Sequence, residues 1–113
     1  MVMATVKERV SMVLHKIEIS PTQVADFCRR HQIRRLALFG SILREDFGPE
    51  SDVDVLVDFE PGLTPSLLGM AGLEIELSEM FGRKVDLRTK EDLSRYFRDD
   101  VLKSAVIQYD SQK

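Results

Sequence analysis

The sequence predicts an α/β (α+β) domain in which a small mixed sheet is covered by helices. Three observations carry that expectation. Two short apolar stretches, Leu36 to Phe39 and Val53 to Phe59, are closed by Gly40 and by Pro61-Gly62, and they are too short to be helices. Around them, apolar residues recur at helical spacing. The 113 residues, 43% hydrophobic and 31% charged, suffice for one core that buries roughly two thirds of the unfolded surface, and they are too apolar for disorder.

From Thr5 to Ile17, Val6, Val10, Val13, Leu14 and Ile17 form a helical stripe, so a first helix is expected there. Ser20-Pro21-Thr22-Gln23 reads as the start of a second, with Ser20 as cap, Pro21 at the first helical position and Gln23 completing a capping box. It would bury Val24, Phe27 and Cys28 and end near His31. Ile33 to Phe39 is a strand buried on both faces, and Val53 to Phe59 a second, with Val53, Val55 and Val57 alternating against Asp52, Asp54, Leu56 and Asp58. Pro65 to Phe81 is a long helix that Gly82 terminates. Lys84 to Leu87 is a third strand. Leu93, Tyr96, Phe97, Val101, Leu102, Ala105 and Val106 suggest one or two closing helices. With no repeat, linker or low-complexity segment, residues 1–113 are expected to be one domain: helices over 1–32, a core over 33–90 and helices over 91–113.

Composition narrows the function classes. A net charge of −3 and a pI near 5.4 argue against direct nucleic-acid binding by bulk charge. No apolar run reaches the ~20 residues of a membrane-spanning helix, and residues 1–19 are too charged for a signal peptide. The single Cys28 cannot form an internal disulfide, which fits a reducing cytoplasm. The cluster Arg29, Arg30, Arg34 and Arg35 reads as a solvated helix end and strand entry. Neither His15 nor His31 has a spaced metal-ligating partner.

The chemistry concentrates between Leu38 and Val57. Residues two apart on a strand share a face, so Asp52 and Asp54 project side by side at the start of the second strand. Two such carboxylates repel unless a hard cation joins them, and Mg²⁺ takes one or two carboxylates together with phosphate oxygens. Gly40-Ser41, directly after the first strand, offers close backbone approach and a hydroxyl at a helix start, a cradle for phosphate. Asp86 on the third strand completes an acidic cluster if that strand neighbours the second; otherwise it pairs with Arg83 or Arg88. Asp58 lies ~13 Å beyond Asp54 along the strand, outside such a site.

Gly40-Ser41, ten residues, then Asp52-x-Asp54 resembles the signature of the DNA polymerase beta-like nucleotidyltransferase superfamily, and the short chain is similar to its minimal nucleotidyltransferase (MNT) antitoxins. The resemblance implies that fold, with AMP transfer from ATP to a hydroxyl and release of pyrophosphate. It implies Asp52, Asp54 and Asp86 as catalytic ligands of Mg²⁺, with two ions expected, and Gly40, Ser41 and Arg44 at the phosphates. Glu45 follows Arg44 where many relatives carry glycine, so a phosphate contact and a surface position both stay open for Arg44. It further implies a partner, a HEPN-type ribonuclease toxin modified on a tyrosine, because the chain has no room for an acceptor-binding domain. Two rivals remain: an antitoxin that neutralises by binding alone, and the catalytic subunit of an aminoglycoside-like, small-molecule nucleotidyltransferase.

Overall fold

The computed structural model describes residues 13–14, 17–44 and 47–111. Two short strands, β1 (Val13–Leu14) and β2 (Ile17–Glu18), pair antiparallel. The first expected helix is therefore corrected where the chain is described: Val13, Leu14 and Ile17 are extended, and residues 5–12 lie outside the described residues. The physical reason is β-branching, which weakens helices and favours strands. Ile17 and Ile19 are both buried, the period-2 spacing of an extended chain.

Helix α1 (Pro21–Arg30) starts as its sequence requires: the Ser20 Oγ accepts the Gln23 N–H at 3.2 Å, with Pro21 in the first turn. Arg29 and Arg30 in its last turn complement the helix dipole, and His31 caps it by donating its N–H to the Phe27 carbonyl. Strand β3 (Ile33–Phe39) leads into a 3₁₀ turn, Gly40–Leu43, and then comes β4 (Val53–Phe59). Helix α2 (Leu67–Phe81) is capped by Ser66, whose Oγ accepts the Gly69 N–H. Gly82 ends it in the left-handed conformation, φ +69°. Strand β5 (Val85–Arg88), a short 3₁₀ turn at Lys90–Asp92, helix α3 (Arg98–Ser104) and strand β6 (Val106–Asp110) complete the described chain.

The larger sheet has the order β5-β4-β3-β6, with β4 and β5 parallel and the other neighbours antiparallel, so it is the small mixed sheet expected. The last strand is a correction. Of the helices expected over 91–113, Arg98–Ser104 is the one α-helix among the described residues, and Val106 to Asp110 instead pairs with β3. Val106, Ile107 and Tyr109 suit a pleated strand, and β6 satisfies the edge of β3 that would otherwise be open.

The sheet is packed on both faces. Leu36, Leu38, Val53, Val55, Val57, Val85 and Leu87 meet Val24 and Phe27 of α1 and Leu73, Leu77 and Phe81 of α2 in the main core. Each fully buried side chain of this size contributes about 1.5–3 kcal/mol. On the other face Phe39, Leu56 and Leu93 form a smaller cluster, flanked by Val101 and Ala105. Among the described residues no helix is long and apolar enough to cross a membrane.

Candidate active site

The thinner cover of the second face leaves an acidic cleft at the start of β4. Register brings its parts together: Asp54 stands opposite Phe39 of β3 on one side and Asp86 of β5 on the other. The parallel β4–β5 pairing thus makes neighbours of two acids 32 residues apart in sequence.

Gly40 fits this place for two reasons. Its φ is +74°, a conformation other residues adopt at a cost, and a Cβ there would lie 3.1 Å from the Asp54 Cγ and closer still to its Oδ2. The next residue ties both signature aspartates to the turn. The Ser41 backbone N–H donates to the Asp54 carboxylate, and its Oγ donates to the Asp52 carbonyl at 3.3 Å.

The electrostatics are those of a cluster short of positive charge. Burial of Asp54 holds its carboxyl above the usual carboxylate value, and the neighbouring charges of Asp86 and then Asp52 push the same way, against the Ser41 N–H and Arg88. Asp86 is better compensated. Arg88, two residues on along β5, donates Nε to Oδ1 at 3.1 Å and a terminal N–H to Oδ2 at 3.2 Å. Of the two pairings open to Asp86 in the sequence, this is the one formed. Arg83 instead donates to the Gly48 and Ser51 carbonyls at 2.6 and 2.8 Å, bracing the loop before β4.

The donor set suits a hard divalent cation: carboxylate oxygens only, beside an uncompensated negative charge. Among the described residues, however, no three acidic, imidazole or thiol groups converge into a ready-made cage. Asp86 is turned to Arg88, whose guanidinium engages both of its carboxylate oxygens.

The other singled-out residues lie elsewhere. Arg44 is exposed at the end of the 3₁₀ turn, its backbone N–H on the Ser41 carbonyl. Asp58 pairs with Arg34 at 2.9 Å, outside the cluster as expected. Arg30 binds Asp26 and Glu76, and Arg35 binds Asp110, so three members of the arginine cluster are engaged in ion pairs. Cys28 is buried, and burial pushes its thiol up to about 12, an inert core residue. Sequence reasoning missed the far wall of the cleft. Leu93, Ser94 and Phe97 face Asp54, Asp86 and Arg88 across a cavity of about 210 Å³. No local signal marks them, because only the return of the chain after β5 brings them there. A larger cavity of about 460 Å³ lies between α2 and Arg83 to Val85, away from the acids.

Comparison with known proteins identifies the family. The family model of the nucleotidyltransferase domain matches residues 22–108, which span every residue of the acidic cleft. The protein adenylyltransferase MntA of Thermococcus cleftensis is 36% identical over 107 residues, covering 94% of this chain and 98% of that one. A solved candidate minimal nucleotidyltransferase superposes with a TM-score of 0.63 at 36% identity, over 76% of this chain and 86% of that chain. The complex of a tri-AMPylated Shewanella oneidensis HEPN toxin with an MNT antitoxin gives a TM-score of 0.59 at 19% identity, over 81% and 71%, a likeness of fold. With its glycine-serine turn, paired strand acids and helix-covered mixed sheet, this chain belongs to the nucleotidyltransferase-domain family, among its minimal nucleotidyltransferases.

Proposed function

We propose that this chain is a protein adenylyltransferase that moves AMP from ATP to a tyrosine hydroxyl of a HEPN-type toxin and so acts as its antitoxin. The observation that carries the reading is the pairing of Asp54 with Asp86 across β4 and β5, with Gly40 and Ser41 pressed against Asp54. The Thermococcus relative, aligned over nearly its whole length, supports the reaction class, and the HEPN complex of the same fold supports the partner.

In this reading the Gly40-Ser41 turn receives the triphosphate, with Arg44 as a further phosphate contact. Asp52 and Asp54, joined by Asp86 once Arg88 releases it, would hold Mg²⁺, as two ions when all three acids engage. When bound, the metal offsets the charge on the attacking and leaving oxygens. The chain's own work is to hold the acids in register, fix the triphosphate beside Asp54 and accept the proton of the incoming hydroxyl at the Asp86 carboxylate. Use of ATP, together with a buried free thiol, fits a cytoplasmic protein.

The test is to incubate chain, ATP, Mg²⁺ and the cognate toxin, then weigh the toxin intact. Added AMP units, absent with Asp52→Asn/Asp54→Asn, are the expected result. An unmodified toxin that is nonetheless neutralised equally by the wild type and the double variant would replace this reading with neutralisation by binding. AMP on an aminoglycoside instead of the toxin would assign a small-molecule transferase.

A further inference from the structure

We propose that the cleft beside Asp86 is the acceptor subsite and that it seats a single phenolic side chain between Phe39, Leu93 and Phe97. The proposal rests on the adenylyl-transfer reading and adds to it where the acceptor binds.

Three observations support it. The first is position. The cleft is lined by Asp54 and Asp86 but not by Gly40, Ser41 or Asp52, so it is a place beside the acids separate from the glycine-serine turn. A phosphate held at the turn would leave the cleft free for a second group. The second is size. About 210 Å³ falls below the ~300–1,000 Å³ of sites that enclose a whole small molecule, so it suits one ring rather than a nucleotide or a multi-ring amino sugar. The third is chemistry. Phe39 and Leu93 are nearly buried and Phe97 is half exposed, giving apolar walls against which an aromatic ring stacks or packs edge-on, while Asp54, Asp92 and Asp86 with its partner Arg88 supply the polar end.

The transfer balances with the ring so placed. The phenolic oxygen bonds to the α-phosphorus of ATP as the bond from that phosphorus to the oxygen bridging to the β-phosphate breaks. Its electron pair leaves with pyrophosphate, and the phenolic proton passes to the Asp86 carboxylate and then to water. Ser94, whose Oγ accepts the Tyr96 N–H, opens the turn that carries Phe97 over the cleft. A bulky residue at Ser94 would fill the space without removing a wall.

The experiment titrates the full chain with N-acetyl-tyrosinamide and follows backbone amide shifts by NMR, with kanamycin as competitor. Saturable shifts at Phe39, Leu93, Ser94 and Phe97 are expected. Ser94→Trp and Phe97→Ala should each weaken that binding about tenfold while the affinity for AMP-PNP with Mg²⁺ changes less than about twofold. The unchanged nucleotide affinity separates a filled or opened cleft from a misfolded chain. Absent shifts, shifts elsewhere, displacement by kanamycin, or variants that bind the phenol like wild type would each overturn the subsite. The adenylyl-transfer reading fails separately: it stands if the toxin is AMPylated although the cleft stays silent, and it falls if the phenol seats but no AMP is transferred.

Discussion

Two carboxylates on this molecule are shifted in opposite directions, and the contrast separates a site from a brace. Glu76 on α2 sits between Arg30, at 2.6 Å, and His31, at 3.1 Å, and these donors hold it below the usual carboxylate value. Its charge is satisfied by the chain itself, and it fastens α1 to α2. Asp54 faces the other way. Burial and two acidic neighbours hold it above the usual value, and the nearby Arg88 is spent on Asp86. One cluster is complete as folded. The other is tolerated with a charge left over, as functional sites commonly are.

The largest break in this comparison removes the uncompensated cluster. Asp52→Asn/Asp54→Asn is expected to lower AMP transfer to the toxin by about 10³-fold, read by intact mass over time, with the fold retained by circular dichroism. Next comes the turn that supports Asp54. Gly40→Ala brings a Cβ against the Asp54 carboxylate at a positive φ, so a loss of about 1–3 kcal/mol is expected in urea unfolding.

Smaller effects sharpen the contrast through their sign. Asp54 has a raised folded pKa, so its ionisation is penalised in the fold, and the penalty develops as pH rises from 3.8 through the folded value. Asp54→Asn should therefore raise the metal-free melting temperature at pH 7, by about 2 °C after allowing for solvent screening, and leave it unchanged below pH 3.8. Glu76 has a lowered folded pKa. Its contribution is present above pH 4.5 and is lost as pH falls through the folded value. Glu76→Gln should cost roughly 0.5 kcal/mol at pH 7, with the difference vanishing in acid. Scanning melts of both variants from pH 3 to 7 check the opposite signs together.

Much of this was legible in the chain. Strands β3 and β4 match their sequence boundaries because short apolar runs ending in Gly40 and Pro61 are unambiguous. Helix α1 was equally clear from Ser20-Pro21 and its apolar face. The two ends were not. Val13, Leu14 and Ile17 carry helical spacing, yet β-branching and pairing override it, and Val106 becomes a strand because β3 needs a neighbour. The first outcome rests on a hairpin partner three to five residues along, the second on a strand far away in sequence. Asp52-x-Asp54 with Gly40-Ser41 marks the candidate site, since local parity and close backbone approach write themselves into spacing. The wall of Leu93, Ser94 and Phe97 and the bidentate grip of Arg88 on Asp86 did not, because tertiary return and rotamer choice leave no periodic trace.

In the proposed reaction the cluster around Asp54, unlike the one around Glu76, is completed by a cation. Titrating the metal-free chain with Mn²⁺ under electron paramagnetic resonance tests it directly, without nucleotide or toxin. Saturable binding by the wild type and by Glu76→Gln, lost in Asp52→Asn/Asp54→Asn, is the result predicted here. Equal binding by all three, or none by the wild type, would contradict it.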